Sequence, residues 1–379
     1  MKIAIVHEWF VTYAGSEKVV EQIISQYPDA DIYTLFDFLP AKDRIFLNNK
    51  QIRTSFIQQL PFTRTSYRKY LPFMPLAIEQ FDLSKYDLIL SSNHAVAKGV
   101  LTGPHQLHIS YIHSPMRYAW DMQHEYLFDS GLDKGVMTIP TRWLLHQLRI
   151  WDYRTANGVD HFIANSKFVA QRIWKVYRRK AKVIYPPIQV TKFHFQENKD
   201  SYYLAASRMV PYKKMDLIVE AFNYMPDKHL IVIGEGPDLD KVKKKARRNI
   251  EILGYQSDDI LKEYMQNAKA FVFAALEDLG MIPLEAQACG TPVIAYGCGG
   301  TIETIHGLEH PEPSGVLFYD QTVKEIIKGI AIFEENQSRI TPRNCRLNAE
   351  RFSSELFCSE FTRFVENSWQ EFSEGKIMV

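Results

Sequence analysis

The sequence predicts an α/β chain built from two doubly wound parallel-sheet domains. Three observations carry this. Short apolar runs alternate with helix-period stretches, the series occurs twice, and a proline pair followed by polar residues separates the two series. Strands that alternate with helices form a parallel sheet wrapped by helices. In the first series the apolar runs lie at 2–6, 31–35, 88–92, 108–113, 161–165 and 182–185. In the second they lie at 202–206, 230–234, 250–253, 270–275, 293–296 and 315–318. Helix-period stretches such as 215–225, 239–248 and 259–268 fall between them. Six strands are therefore expected in each half. The boundary is expected between Pro186-Pro187 and Asp200, giving domains at 1–188 and 189–351. A helical segment at 352–379 is expected to cross back onto the first domain. Ligands of such sheets sit at the carboxyl ends of the strands, so a central cleft faced by both halves is the expected site.

Length and composition fit this reading. A chain of 379 residues is long enough for two or three domains. Hydrophobic content of 46% and charged content of 23% are ordinary for a globular protein. A net charge of +1 argues against a dedicated nucleic-acid binder. No apolar run of about 18 residues occurs, so no transmembrane helix is expected, and the first residues read as a strand rather than a signal peptide. Cys289, Cys298, Cys345 and Cys358 show no metal-binding spacing. They are expected to be free thiols in a cytoplasmic setting, and no metal or cofactor is expected.

The stretch 271–300 is the most informative. It reads as strand, loop, helix, strand. Its apolar run ends in Glu277, Asp278 and Gly280, a helix is expected to open near Pro283 with Glu285 in its first turn, and Gly290 stops it. Two carboxylates eight positions apart thus bracket the amino end of a helix. That end offers unpaired N–H groups and about half a positive charge to an anion. The carboxylates can accept bonds from hydroxyls beside that anion, and a phosphate flanked by sugar rings fits. Upstream, Arg208 and Lys213 follow the first strand of the second half. A guanidinium fork and a point charge suit a diphosphate leaving group. A solvated basic turn is the plain alternative, and Lys214 is a neighbouring substitute.

The chain resembles the retaining GT-B glycosyltransferases of family 4. The resemblance rests on Gly15-Ser16-Glu17, IHSPMRYAWD at 112–121, ANSKFVAQRI at 164–173, VIYPPI at 183–188, SRMVPYKKMD at 207–216, IGEGPD at 233–238 and the pair Glu277 and Glu285. The stretch after 71 and RYAWD resemble a narrower group, the bacterial GDP-mannose-dependent mannosyltransferases of surface polysaccharide assembly. The resemblance implies two Rossmann-like domains facing a cleft, a nucleotide-sugar donor and a glycan acceptor. The donor expected is GDP-mannose and the acceptor an undecaprenyl-linked glycan. It also implies a cytoplasmic protein with peripheral contact to the inner membrane face.

Roles follow residue by residue from the resemblance. Arg208 and Lys213 would neutralise the diphosphate. Glu277 would hold hydroxyls of the transferred sugar, and Glu285 the donor ribose. The N–H groups of Leu279, Gly280 and Met281 would face sugar and phosphates. Gly15 lies in the first strand-to-helix loop, where a bare backbone can approach a phosphate, although a simple turn explains it as well. His113 is expected at the end of a strand beside the attacked bond. Tyr118, Trp120 and Asp121 would shape the acceptor side, with ordinary packing as the alternative. Gly234 and Gly236 would let the backbone pass close to the nucleotide, and Gly254-Tyr255 would seat the base. The basic and aromatic stretches 51–75 and 142–154 read either as solvated helix faces or as surfaces for an anionic bilayer. A UDP-sugar transferase and a sugar-nucleotide 2-epimerase of the same fold are the rival activities.

Overall fold

The structure is a computed structural model that describes residues 1–375. The chain divides into two compact units. One comprises Met1–Pro187 together with the segment beginning at Phe357, and the other is Ile188–Leu356.

Unit 1 holds strands β1 (Ile3–His7), β2 (Asp31–Thr34), β3 (Ile52–Thr54), β4 (Leu88–Asn93), β5 (Leu107–Ile112), β6 (His161–Ala164) and β7 (Ala181–Val183). Their order is β3-β2-β1-β4-β5-β6-β7, and every neighbouring pair is parallel. The sheet therefore has seven strands, not the expected six. The additional one, β3, is a three-residue edge strand with Arg53 and Thr54 exposed. An edge strand that half-buries one apolar residue, Ile52, leaves no apolar run to read. At the centre, β4 and β5 are buried along their whole length, because helices cover both faces of a parallel sheet. Several of their residues are nonetheless polar. Ser91 meets this by donating to Ser110 at 2.8 Å and pairing with His108 at 2.8 Å, since a buried polar group left without a partner is costly.

The helix Ser354–Ser373 turns Phe357, Phe361 and Val365 into the unit 1 core beside Ile5, Val19, Leu90 and Tyr111. Their spacing of four places one apolar stripe along the helix. The last four residues of the expected segment 352–379 lie outside the described residues.

Unit 2 holds β8 (Tyr203–Ala206), β9 (Leu230–Ile233), β10 (Ile250–Gly254), β11 (Ala270–Phe273), β12 (Val293–Tyr296) and β13 (Gly315–Phe318). The order is β10-β9-β8-β11-β12-β13, again all parallel. Both sheets reverse direction once, between β1 and β4 in unit 1 and between β8 and β11 in unit 2. Crevices outside the carboxyl ends of strands form at such switch points. The residues following β1, β4 and β5, and those following β8 and β11, are accordingly the places to look for chemistry.

Candidate active-site constellations

In unit 2 the chain leaves β8 at Ala206, exposes Arg208, and makes a short turn over Pro211–Lys213. Lys214 adopts a left-handed φ of 54° and launches the helix Met215–Asn223. This turn delivers Lys213 to the carboxyl edge of β11, where its Nζ forms an ion pair with Oε1 of Glu277. The Lys213 ammonium also lies 5.4 Å from the Tyr212 ring and 5.7 Å from the Phe273 ring. The two paired side chains keep only 14% and 15% of their exposure, so both charges are largely shielded from water. Arg208 donates to the Tyr212 hydroxyl at 3.1 Å and otherwise faces solvent. The structure thus brings Lys213 and Glu277 together and places Arg208 on the same turn.

The loop after β11 is held by a second loop. The Gly300 N–H donates to the Glu277 carbonyl at 2.9 Å. A Cβ on Gly300 would lie 2.2 Å from the Leu279 Cα, and one on Gly299 would lie 2.4 Å from the Glu277 carbonyl oxygen. Two bare residues are therefore needed to seat the acidic loop. Leu279 points into the core at 3% exposure, which leaves its backbone as the part available to a ligand. Gly280 (φ 86°) opens the helix Met281–Ala288. This corrects the expected start near Pro283. Pro283 sits in the first turn, where an N–H has no partner within the helix, so the helix begins two residues earlier. Glu285 consequently stands in the second turn, partly exposed, rather than in the first.

Gly234 and Gly236 pack on the loop after β8. Both have φ near the upper left-handed limit, 139° and 145°. A Cβ on Gly236 would lie 2.5 Å from the Met209 carbonyl oxygen, and one on Gly234 would lie 1.9 Å from that of Ser207. Hydrogen bonds from Met209 N–H to Glu235 (2.7 Å) and from Asp238 N–H to Met209 (3.0 Å) stitch the two loops together. The space where a Cβ would lie is filled by the loop bearing Arg208, so these glycines support that residue. At the end of β10, Gly254 (φ 70°) turns the chain and leaves Tyr255 at 64% exposure.

In unit 1, His113, expected to end its strand, lies one residue past the end of β5. Its N–H donates to the Asn93 carbonyl at 2.8 Å, and its carbonyl accepts from Asn165 Nδ2 at 2.9 Å. Its Nε2 lies 2.8 Å from the Ser92 hydroxyl. Burial, with His94 and His7 close by, holds its pKa well below the usual imidazole range. Gly15 is the first residue of the helix Gly15–Gln26, and Glu17 in its first turn reaches back to the Ala14 N–H at 3.0 Å. That is one half of a capping box.

Tyr118 and Trp120 are half-buried and direct their polar ends inward. The Trp120 indole donates to Asp152 Oδ2 at 2.7 Å, where Tyr177 also donates at 2.9 Å and Lys98 forms a fully buried ion pair at 2.7 Å. The Tyr118 hydroxyl is buried without a hydrogen-bond partner, and burial raises its pKa. A buried aspartate requires such donors, which is why the indole is drawn in. Asp121 pairs with Arg172 at 2.5 Å while half exposed, and Arg172 also donates to Ser114 at 3.0 Å.

Sequence reasoning missed a further group. Glu8, with no exposure, accepts N–H bonds from His94, Ala95, Val96 and Ala97 at 2.8–3.1 Å. His7 and Ser92 are equally buried beside it. The available signal was polar residues at the carboxyl ends of two apolar runs, IAIVHE and LILSSN.

Two family models match the chain. Residues 13–192 match the model described as Glycosyltransferase Family 4, and residues 189–352 match that of Glycosyl transferases group 1. Among solved structures, HepE of Anabaena in complex with UDP superposes with a TM-score of 0.69 at 17% identity, covering 97% of this chain and 100% of that one. That likeness concerns the fold. With fold and both models in agreement, the chain belongs to the GT-B glycosyltransferases of family 4 and group 1. Curated relatives include a GDP-mannose-dependent monoacylated alpha-(1-6)-phosphatidylinositol monomannoside mannosyltransferase of Corynebacterium glutamicum. It is 32% identical over 26% of this chain and 30% of its own length. An alpha-1,3/1,6-mannosyltransferase of Kluyveromyces lactis is 24% identical over 62% of this chain and 58% of its own. This chain thus spans less than two thirds of the length of either relative.

Proposed function

We propose that the protein is a retaining glycosyltransferase that moves mannose from GDP-mannose to a hydroxyl of a lipid-linked glycan. The observation that carries this is the shielded pair Lys213–Glu277 beside Arg208, on the turn following β8 and next to the amino end of the helix Met281–Ala288. A nucleotide diphosphate would draw Lys213 away from Glu277. The ammonium and the Arg208 guanidinium would then neutralise the leaving group, while Glu277 would be released to accept sugar hydroxyls and Glu285 those of the ribose. Helix N–H groups aimed at the phosphates add to the same stabilisation, with these cations standing where other enzymes use a metal. Retention of configuration fits a site whose carboxylates are hydroxyl ligands rather than a flanking acid pair, and the departing phosphate would help deprotonate the acceptor.

The mannose and GDP assignments draw on the two mannosyltransferase relatives. Contact with a membrane draws on the start of the helix Thr138–Thr155, where Val136, Met137, Ile139 and Trp143 stand exposed near Lys134 and Arg142. Among the described residues no helix is long and apolar enough to cross a membrane.

Incubation with radiolabelled GDP-mannose, UDP-glucose and UDP-GlcNAc, each with and without polyprenyl-linked glycans, tests the reading. Label should pass from GDP-mannose to the lipid fraction, with the product linkage retained by proton NMR. Interconversion of donor without acceptor would instead establish an epimerase. Transfer from a UDP-sugar alone would overturn the base and sugar assignment.

A further inference from the structure

Unit 1 contains a buried polar chain that ends on His113. Glu17 Oε1 lies 3.3 Å from His7 Nε2, His7 Nδ1 lies 3.1 Å from Ser92 Oγ, and Ser92 Oγ lies 2.8 Å from His113 Nε2. His7 and Ser92 have no exposure and Glu17 has 4%. The groups come from the helix Gly15–Gln26, from the ends of β1 and β4, and from the residue after β5. The reversal of sheet order between β1 and β4 brings them together.

We infer that Glu17, His7 and Ser92 form a positioning chain that fixes His113 as its Nε2–H tautomer, leaving Nδ1 as an acceptor for a substrate hydroxyl. The inference rests on the reading of His113 as a substrate-facing residue in the proposed transfer. The polarity follows link by link. Glu17 is a carboxylate and can only accept. Although its burial opposes charge, the bond and charge attraction from His7, with bonds from its own backbone N–H and Ser16, keep its pKa below the usual range, and the Ala14 N–H donates to it as well. His7 therefore carries its hydrogen on Nε2, and when neutral it offers Nδ1 as an acceptor. The Ser92 hydroxyl has one hydrogen, which it gives to His7. Its oxygen is then left to accept from His113 Nε2–H.

Asn93 and Asn165 hold the His113 backbone in place, so the ring has little freedom to escape this arrangement. The other titratable neighbours do not enter the chain. The ring of His94 stands 6.5 Å from His7 and 6.4 Å from His113, and Glu8 is occupied by backbone N–H groups. A second histidine tautomer costs a site its function when the acceptor nitrogen is the one that meets substrate.

The test is nitrogen-15 NMR of histidine-labelled protein, without donor, in mildly alkaline buffer where histidines of ordinary pKa, about 6.5, are neutral. The His113 signals are assigned by their loss in His113→Gln. Wild type should show His113 protonated on Nε2. Ser92→Ala should give a mixture of tautomers, and Ser92→Thr, which keeps the hydroxyl, should restore the single form.

Glu17→Gln makes a sharper demand. Its one amide oxygen is needed by the Ala14 N–H, so its NH2 must face His7 Nε2. The chain then reverses, and His113 should appear protonated on Nδ1. In transfer assays Ser92→Ala should lower kcat about tenfold or more with KM little changed, with recovery in Ser92→Thr. An Nδ1–H His113 in wild type, or a tautomer indifferent to Ser92→Ala and Glu17→Gln, overturns the inference whatever the activity. An Nε2–H His113 in a wild-type protein that transfers no sugar from any donor overturns the proposed function instead.

Discussion

Lys213→Ala separates the two tasks assigned to that side chain. In the ligand-free protein Lys213 shields Glu277, and the pair is roughly six-sevenths buried on both sides. Breaking an exposed pair costs at most about 1 kcal/mol, and breaking a fully buried one costs about 3–5 kcal/mol. A value near 2 kcal/mol is expected here, or a fall of roughly 4–8 °C in the melting of a domain of this size. Turnover should suffer more. Loss of one group that stabilises developing charge raises the barrier by about 3 kcal/mol, roughly a hundredfold in kcat. Glu277→Ala on top of Lys213→Ala should recover part of the stability, since no shielded carboxylate remains, but none of the turnover. Melting is followed by circular dichroism, and transfer with labelled donor under saturating conditions. Turnover within threefold of wild type in Lys213→Ala would remove the leaving-group role. Double-variant turnover above that of the single variant would show that Glu277 is inhibitory rather than a sugar ligand.

Other outcomes follow from the same geometry. Gly236→Ala forces a Cβ to 2.5 Å from the Met209 carbonyl at a φ of 145°, so unit 2 should lose about 3 kcal/mol and donor affinity should fall with the displaced Arg208 loop. Unchanged urea midpoints would show that the two loops are not in contact. Glu8→Gln removes the buried negative charge shared by four N–H groups and turns an NH2 toward the Val96 N–H that Oε2 served; it should cost about 2–4 kcal/mol, with faster amide exchange at His94, Ala95, Val96 and Ala97 as the local sign.

Acid should weaken the two units unequally. Burial depresses His94, His113 and His108, the last to about 4. Their folded forms bind fewer protons than the unfolded chain, so their contribution is complete above about pH 6.5 and lost as pH falls toward the folded values. His108 alone accounts for about 3 kcal/mol over that window. Glu334 in unit 2, buried in part but bonded to Lys228, Lys269 and Tyr203, falls to about 2. Its contribution is lost only as pH drops from about 4.5 toward 2. Urea melts at pH 7.5 and 5 should therefore show the larger loss in unit 1, where three histidines are depressed by burial against the half-buried His306 of unit 2, and His108→Gln should flatten that early limb.

Much of the fold was legible because a parallel sheet buried on both faces must be written in apolar runs. All six strands of unit 2 lie where those runs predict, whereas β3 was silent because an edge position asks for only one half-buried side chain. Helix starts were less legible. Pro283 looked like the first helical residue, yet the free N–H positions of a first turn allow proline at any of them. Arg208, Lys213 and Glu277 could be picked out from sequence as charges in loops that follow apolar runs. Their pairing could not be, since Lys213 and Glu277 are separated by 64 residues and meet only through strand order. The glycines were incompletely legible for a related reason. A missing Cβ signals close approach without saying by what, and on the Cβ side of Gly234 and Gly236 the approaching group is the next loop. Trp120 was ambiguous because its partner Asp152 lies inside an ordinary-looking helix.

The central claim is that unit 2 grips a nucleotide diphosphate through Arg208, Lys213 and the amino end of the helix Met281–Ala288. Calorimetric titration of the wild type and of Arg208→Ala/Lys213→Ala with GDP, UDP and ADP addresses it directly. The account predicts saturable binding of GDP in preference to UDP and ADP, weakened at least a hundredfold in the double variant. Equal affinity in the variant, or no binding of any of the three to wild type, would contradict it.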